Sequence, residues 1–183
     1  MRIIGGTLRG RALNPPAGYA ARPTTDFARE GLFNTLDSEF WFDGLAVLDL
    51  FGGAGTVSFE FASRGAGSVI TVEMNPVNAA FIRKTAASLG VEQTVQVVRH
   101  NVFDFLPLCT KRFDIVFADP PYALDGLETI PDKVLSRGLV HDEGYLILEH
   151  PSEYNFAAHP SFVKEKKYGN VHFSFFRPLP ESR

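Results

Sequence analysis

The chain has 183 residues, 45% of them hydrophobic and 21% charged, with a formal net charge of −3, an ordinary balance for a globular protein of one domain plus a small appendage. No apolar run reaches the length of a membrane span, the segment Met1–Gly6 lacks the apolar stretch and cleavage site of a signal peptide, and the single cysteine, Cys109, can form neither an internal disulfide nor a metal-binding pair. A reducing cytoplasm is the expected compartment, and at this net charge a nucleic-acid partner would have to be held by local basic patches.

In chain order, Arg2-Ile3-Ile4 and Leu8–Leu13 flank Gly5-Gly6-Thr7 and predict a short hairpin. Asn14-Pro15-Pro16-Ala17-Gly18 breaks the chain. Thr25 or Asp26 then caps a helix with Phe27, Leu32, Phe33 and Leu36 on its apolar side. From Leu45 the pattern alternates. Leu45–Leu50 predicts a buried strand, and Gly52–Gly55 turns into a helix reaching Arg64. Ser68–Glu73 predicts a second strand, and Asn75-Pro76 opens a helix that Gly90 ends. Val95–Arg99 and Phe113–Ala118 predict the third and fourth strands, Leu127–Arg137 a helix, and Gly144–Glu149 the fifth strand. The tail changes rhythm: Phe162–Tyr168, Gly169-Asn170 and Val171–Phe176 predict a hairpin. Short apolar strands alternating with helices imply an α/β, Rossmann-like parallel sheet covered on both faces, with an antiparallel hairpin added at its edge. The change of character near residue 43 divides the chain into an extension over 1–43 and an α/β domain over 44–183. Trp41 and most phenylalanines are expected in the core.

The first strand runs into Asp49-Leu50-Phe51-Gly52-Gly53-Ala54-Gly55. Glycines there let a ligand approach the backbone as a helix begins. The run Gly53-Ala54-Gly55-Thr56-Val57-Ser58 resembles a dinucleotide turn but has serine at the third glycine. Asp49 would also crowd a pyrophosphate. It suits a ligand with a cationic ammonium group, and S-adenosylmethionine is such a ligand. Glu73, at the end of the second strand, can accept hydrogen bonds from both ribose hydroxyls. Asn101, with Val102 beside it, can read an adenine edge, although an asparagine there is also a common helix cap.

The most specific motif is Asp119-Pro120-Pro121-Tyr122, after the fourth strand. Its prolines fix the backbone and remove two N–H donors, so the loop presents the Asp119 carboxylate and the Pro120 carbonyl as acceptors. Tyr122 adds an aromatic face. An exocyclic amine on a nucleobase is a poor nucleophile because its lone pair is delocalised into the ring. Two acceptors holding its N–H bonds can draw the nitrogen toward tetrahedral geometry and free that lone pair for attack on a methyl donor. The base must be unstacked to reach such a pocket. As structure alone, the same residues make a rigid turn with an aspartate cap and a packed tyrosine.

The order Asp49-x-Phe51-x-Gly53-x-Gly55, Glu73, Asp119-Pro120-Pro121-Tyr122 resembles the class I S-adenosylmethionine-dependent amino-methyltransferases. Met1–Gly6 with Arg9-Gly10-Arg11, Arg22-Pro23-Thr24-Thr25-Asp26 with Arg29-Glu30 and Leu32-Phe33-Asn34, Ser63-Arg64-Gly65-Ala66 and Tyr168-Gly169-Asn170 resemble, nearly end to end, the RsmD family of small-subunit rRNA guanine-N2 methyltransferases. That resemblance implies a seven-stranded methyltransferase sheet with a small N-terminal extension. It implies S-adenosylmethionine as cofactor, with no metal, and Asp49, Phe51, Gly53, Gly55, Glu73, Asn101 and Val102 around it. It implies Asp119, Pro120, Pro121 and Tyr122 at the target amine. The implied substrate is a guanine of 16S rRNA, guanine 966, within the small ribosomal subunit or its precursor, and the implied enzyme is a monomer. Two positions depart from the family: Gly52-Gly53 stands where Ala-Gly is more frequent, and Asn101 where aspartate is common.

Arg2, Arg9, Arg11, Arg22 and Arg29 can grip RNA phosphates or stack on bases, or can be ordinary solvated arginines. Lys164, Lys166 and Lys167 form a weaker basic group, and the five histidines show no metal-ligand spacing. Rival readings are a DNA adenine-N6 methyltransferase, for which the chain has little room for a target-recognition region, and a protein glutamine-N5 methyltransferase, which favours asparagine where Asp119 stands. A non-catalytic RNA-binding module would be expected to have a degraded turn or loop. A dehydrogenase leaves Asp119 to Tyr122 without a role.

Overall fold

The computed structural model of the chain describes residues 1–20 and 24–181. The apolar runs form β1 (Ala46–Leu50), β2 (Ser68–Val72), β3 (Val95–Val98), β4 (Phe113–Ala118), β5 (Val140–His150), β6 (Phe162–Tyr168) and β7 (Val171–Phe176). Among the described residues these make one seven-stranded sheet in the order β3-β2-β1-β4-β5-β7-β6. β1 to β5 pair in parallel, and β7 and β6 add the antiparallel hairpin at one edge. The expected α/β class, parallel core and closing hairpin are all present. β5 begins earlier than the expected Gly144, with a register irregularity between Phe113 and Ile115.

The helices are α1 (Asp26–Asp37), α2 (Thr56–Ser63), α3 (Pro76–Leu89), α4 (Val102–Phe105) and α5 (Ile130–Leu135). Thr25 caps α1, its hydroxyl accepting from the Ala28 N–H at 3.1 Å. Asn75 and a left-handed Gly90 bound α3. The helix expected over Leu127–Arg137 is instead a 3₁₀ turn over Leu127–Thr129 followed by α5. Pro131 lacks an N–H and is tolerated in the first turn of a helix, which sets where α5 can start.

Side chains alternate between the two faces of a strand. Val47, Ile115, Phe117, Tyr145 and Ile147 join one buried cluster with Ile3, Leu32, Phe33 and Phe61. Leu48, Leu50, Val116, Leu146 and Leu148 join a second with Leu127, Ile130 and Val134. The sheet is therefore covered on both faces, as its unbroken apolar strands require.

Ile3, Leu13, Leu32, Phe33, Leu36 and Phe42 belong to the same buried cluster as the sheet. The expected N-terminal hairpin is present as a short antiparallel pairing: Arg2 bridges Ala12, and the N–H groups of Ile3, Gly10 and Leu13 donate to the carbonyls of Arg11, Ile3 and Met1 at 3.0, 2.8 and 2.8 Å. It is tied to the sheet domain by Glu60 on α2, which is 0% exposed. The Glu60 carboxylate accepts from the N–H of Ile4 at 2.9 Å and of Gly5 at 2.8 Å. Arg64 at 3.0 Å and Arg29 at 3.7 Å neutralise the buried charge.

Two aromatic expectations are corrected. Trp41 is 82% exposed, because Phe40 and Phe42 on either side turn inward against Tyr145 and against Phe33 and Phe61. Phe27 is 66% exposed. The buried stripe of α1 runs through Ala28, Arg29, Leu32, Phe33 and Leu36, and Phe27 lies outside it, edge-on to Tyr168 at 5.8 Å. Among the described residues no helix is long and apolar enough to cross a membrane.

Removing one partner of a buried ion pair strands the other charge. Arg29→Met should therefore lower the free energy of unfolding by about 3 kcal/mol, measured by urea denaturation. A loss below about 1 kcal/mol, the value of a surface pair, would show that Glu60 does not depend on Arg29.

Candidate active site

In an open parallel sheet, ligands bind at the carboxyl ends of the strands. Here Leu50 pairs with Val72 and Ala118, and Ala118 with Leu148. The next residues, Phe51, Glu73, Asp119 and Glu149, therefore stand side by side at this edge, Glu149 still within β5 opposite Phe173, with Asp49 just inside it. All five line one cavity of about 670 Å³, in the size range of small-molecule sites. Gly53, Asn101, Val102, Pro120, Pro121 and Tyr122 line it as well. Gly55 does not. It holds the left-handed N-cap position of α2, φ 80°, and so shapes the turn without facing the ligand space.

The turn after β1 is strained. Phe51 has φ 64°, a left-handed conformation costing about 1–2 kcal/mol for a non-glycine residue. A Cβ on Gly52 would fall 2.3 Å from the Thr71 methyl, so the close approach of the threonine requires a glycine there. Gly53 has φ 58°. Its N–H donates to Glu73 at 2.6 Å, and the Ala54 N–H donates to the Tyr19 hydroxyl at 3.0 Å. A pyrophosphate would need such donors free; here a carboxylate and a phenol hold them.

Asp49 is 2% exposed and accepts from the Ser58 hydroxyl at 2.6 Å. Ser58, the residue that departs from a dinucleotide turn, therefore holds the acid. Burial pushes the Asp49 carboxyl up to about 7 against the Ser58 hydrogen bond, and the charge of Glu73 adds to the rise. Glu73 also accepts from the Asn75 N–H at 2.8 Å. Asn101 acts as a helix cap, accepting from the Phe103 N–H at 2.8 Å, while its amide lies 3.6 Å from the Met74 sulfur.

At the other end of the cavity, Thr24 donates to Glu149 at 2.7 Å and lies 3.4 Å from Asp119. The Tyr122 hydroxyl donates to Glu149 at 3.2 Å. Burial raises the Asp119 carboxyl well above the usual carboxylate range, and the charge of Glu149, the charge of Asp49 and a hydrogen bond with Glu149 push it the same way.

Tyr19, Thr24 and Glu149 were missed by sequence reasoning. Tyr19 and Thr24 lie in irregular chain, and the Arg22–Asp26 motif that contains Thr24 does not by itself mark it as facing the site. Glu149 had a legible signal: it ends an apolar strand as Glu73 does and as Asp119 follows one. Of the arginines expected to meet RNA, Arg9 and Arg11 are exposed, and Arg2, 66% exposed, pairs with Asp26 at 3.0 Å. Arg29 is corrected: it is 1% exposed and its guanidinium is committed to Asp26, Glu60 and the Arg2 carbonyl. Arg22 lies outside the described residues. Lys164 pairs with Glu39.

The model of the family described as conserved hypothetical protein 95 matches residues 1–177. Ribosomal RNA small subunit methyltransferase D of Escherichia coli K12 is 33% identical over 184 residues, covering 97% of this chain and 89% of that protein. The protein of the same name from Haemophilus influenzae is 35% identical over 125 residues, covering 67% and 64%. Among solved structures, a hypothetical protein of Thermus thermophilus superposes with a TM-score of 0.85 at 32% identity, covering 97% of this chain and 99% of its own.

Asp49 holds its proton more tightly folded, at about 7, than at its ordinary 3.8. The folded state therefore binds more protons in that window, and stability falls as pH rises from about 4 to about 7. Asp49→Asn should remove a part of that fall on the order of 1–3 kcal/mol, leaving the part due to Asp119. Urea unfolding at the two ends of the window checks this, and an unchanged slope would contradict it.

Proposed function

We propose, for a chain that belongs to the conserved hypothetical protein 95 family, the RsmD-type rRNA methyltransferases, that it methylates the exocyclic N2 amine of a guanine in 16S rRNA with S-adenosylmethionine as donor. The observation that carries this reading is an acidic cavity at a methyltransferase sheet edge, with the Asp-Pro-Pro-Tyr loop at one end and a strained glycine turn at the other.

The residues fit the cofactor. Asp49, Glu73, Asp119 and Glu149 line a space whose one lining cation among the described residues, Arg29, is already paired. Phosphates are disfavoured there and a cationic ligand is favoured. Glu73 would take the ribose hydroxyls, Asn101 and Val102 the adenine, and Asp49 and the turn at Gly53 the ammonium end. S-adenosylmethionine supplies an electrophilic methyl on a cationic sulfonium. The Asp119 carboxylate and the Pro120 carbonyl accept the two N–H bonds of the target amine, and Tyr122 stacks on the base. The nitrogen would gain positive charge as it is methylated, and the Asp119 carboxylate would stabilise that charge and take the proton the amine gives up.

Arg2, Arg9 and Arg11, on the segment over 1–43, would contact RNA outside the cavity, where phosphates are accepted. The substrate is 16S rRNA within the small ribosomal subunit or its precursor, and guanine 966 is the expected position. The enzyme acts as a cytoplasmic monomer.

Asp119→Ala should lower methyl transfer by at least about 10³-fold while calorimetry finds S-adenosylmethionine binding near normal. Glu73→Ala should weaken cofactor binding about tenfold or more. Mass-spectrometric mapping of rRNA nucleosides from cells with and without the gene decides the whole reading: loss of one N2-methylguanosine supports it, and unchanged 16S rRNA sinks it.

A further inference from the structure

Phe27 and Tyr168 form a perpendicular aromatic pair at the rim of the cavity, their ring centroids 5.8 Å apart and their planes at 84°. Phe27 lies in the first turn of α1, two residues after Thr25, and Tyr168 ends β6 opposite Val171. Thr24, Thr25 and Val171 all line the cavity. Tyr168 is closely seated. A Cβ on Gly31 would fall 2.1 Å from its ring, and its hydroxyl lies 3.3 Å from the Thr35 hydroxyl. Glycine inside a helix weakens it relative to alanine, so α1 carries a local cost where it seats this tyrosine. Phe27 leans on the tyrosine but is 66% exposed. A perpendicular contact uses at most one face of a ring, so the other face of Phe27 is open to solvent.

A single exposed phenylalanine is ordinary. One braced on a fixed partner at the rim of a ligand cavity is a platform. Its surroundings are basic. Asp26, just before it, already pairs with the exposed Arg2, and Lys166 and Lys167, just before Tyr168, are exposed. Glu30, one turn along α1, is the exposed acid beside them. A flat apolar face flanked by cations suits a nucleobase and its phosphates. The cavity supplies the reason for one. A base drawn out of its stack leaves its neighbour with a bare face, and an aromatic ring can cover that face in its place.

We propose that Phe27, braced by Tyr168, is the ring on which the base next to the target guanine stacks while the guanine occupies the cavity. This rests on the rRNA reading above and adds the site that holds the strand beside the target. Stacking tolerates any sequence because every base has a π-face. Phe27 therefore contributes affinity for an opened strand, and the loop from Asp119 to Tyr122 contributes the chemistry.

The test uses the full chain and a fluorescently labelled single-stranded RNA of about ten nucleotides carrying one guanine, within the span such grooves cover. Phe27→Ala should weaken binding about fivefold or more, the lower end for one stacked base. The slope of affinity against salt should stay as in wild type, because no phosphate contact is lost. S-adenosylmethionine affinity and urea unfolding should be unchanged. Phe27→Trp, made together with Trp41→Phe, should bind within about threefold of wild type, and RNA should quench its single tryptophan. Equal binding by Phe27→Ala and wild type, no quenching in the tryptophan variant, or a wild type that does not bind the strand each overturns the inference. So does weakening that comes with an altered salt slope or lost stability, which assigns Phe27 to placing the arginines or to folding. Weaker binding of small ribosomal subunits while the RNA strand binds normally assigns the ring to a ribosomal protein and also overturns it. None of these outcomes touches the nucleoside mapping, on which guanine-N2 methylation stands or falls separately.

Discussion

The site depends on two carboxyl groups that ought to repel each other. Asp119 and Glu149 emerge from neighbouring parallel strands, and the register of β4 with β5 leaves them nowhere else to go. A raised Asp119 carboxyl and the hydroxyls of Thr24 and Tyr122 make the arrangement tolerable. The cost is borne by the rest of the fold: a rigid sheet, buried on both faces, holds the two acids in place.

Thr24 brings the N-terminal segment into this constraint. It reaches the pair only because the segment before β1 lies against the sheet, and it lies there because Glu60 binds it. One buried carboxylate takes the N–H groups of Ile4 and Gly5 and the charges of Arg29 and Arg64. Ser63, one turn along α2 from Glu60, adds bonds to the Gly5 carbonyl and the Leu8 N–H. The segment is thus both a wall of the cavity through Tyr19 and Thr24 and a carrier of exposed arginines on its outer side. On the proposed reading, the inner side meets a base and the outer side meets phosphate, and the change of charge across the segment keeps the two apart.

The glycine turn shows the same economy. Its N–H groups face Glu73 and Tyr19, and its serine holds Asp49. A turn of nearly the same sequence could cradle phosphate if those three partners were absent. The choice between ligand classes is made by the side chains that occupy the turn's donors, more than by the glycines themselves.

Much of this was legible in one dimension. Strand–helix alternation is a local pattern, and it specified the parallel core and the closing hairpin. Asp49, Glu73 and Asp119-Pro120-Pro121-Tyr122 were legible because strand ends and proline loops mark themselves. Arg29 and Trp41 were misread because each was decided by partners far along the chain: Glu60 for the arginine, and the inward-facing Phe40 and Phe42 with their distant ring partners for the tryptophan. The sequence by itself determined which chemical groups stand at the carboxyl edge of the sheet. Only the tertiary structure decided that Glu149 stands against Asp119, and that Thr24 and Tyr19 complete the cavity. Strand register and the docking of an irregular segment depend on contacts between residues up to 125 positions apart, and no local periodicity carries that information.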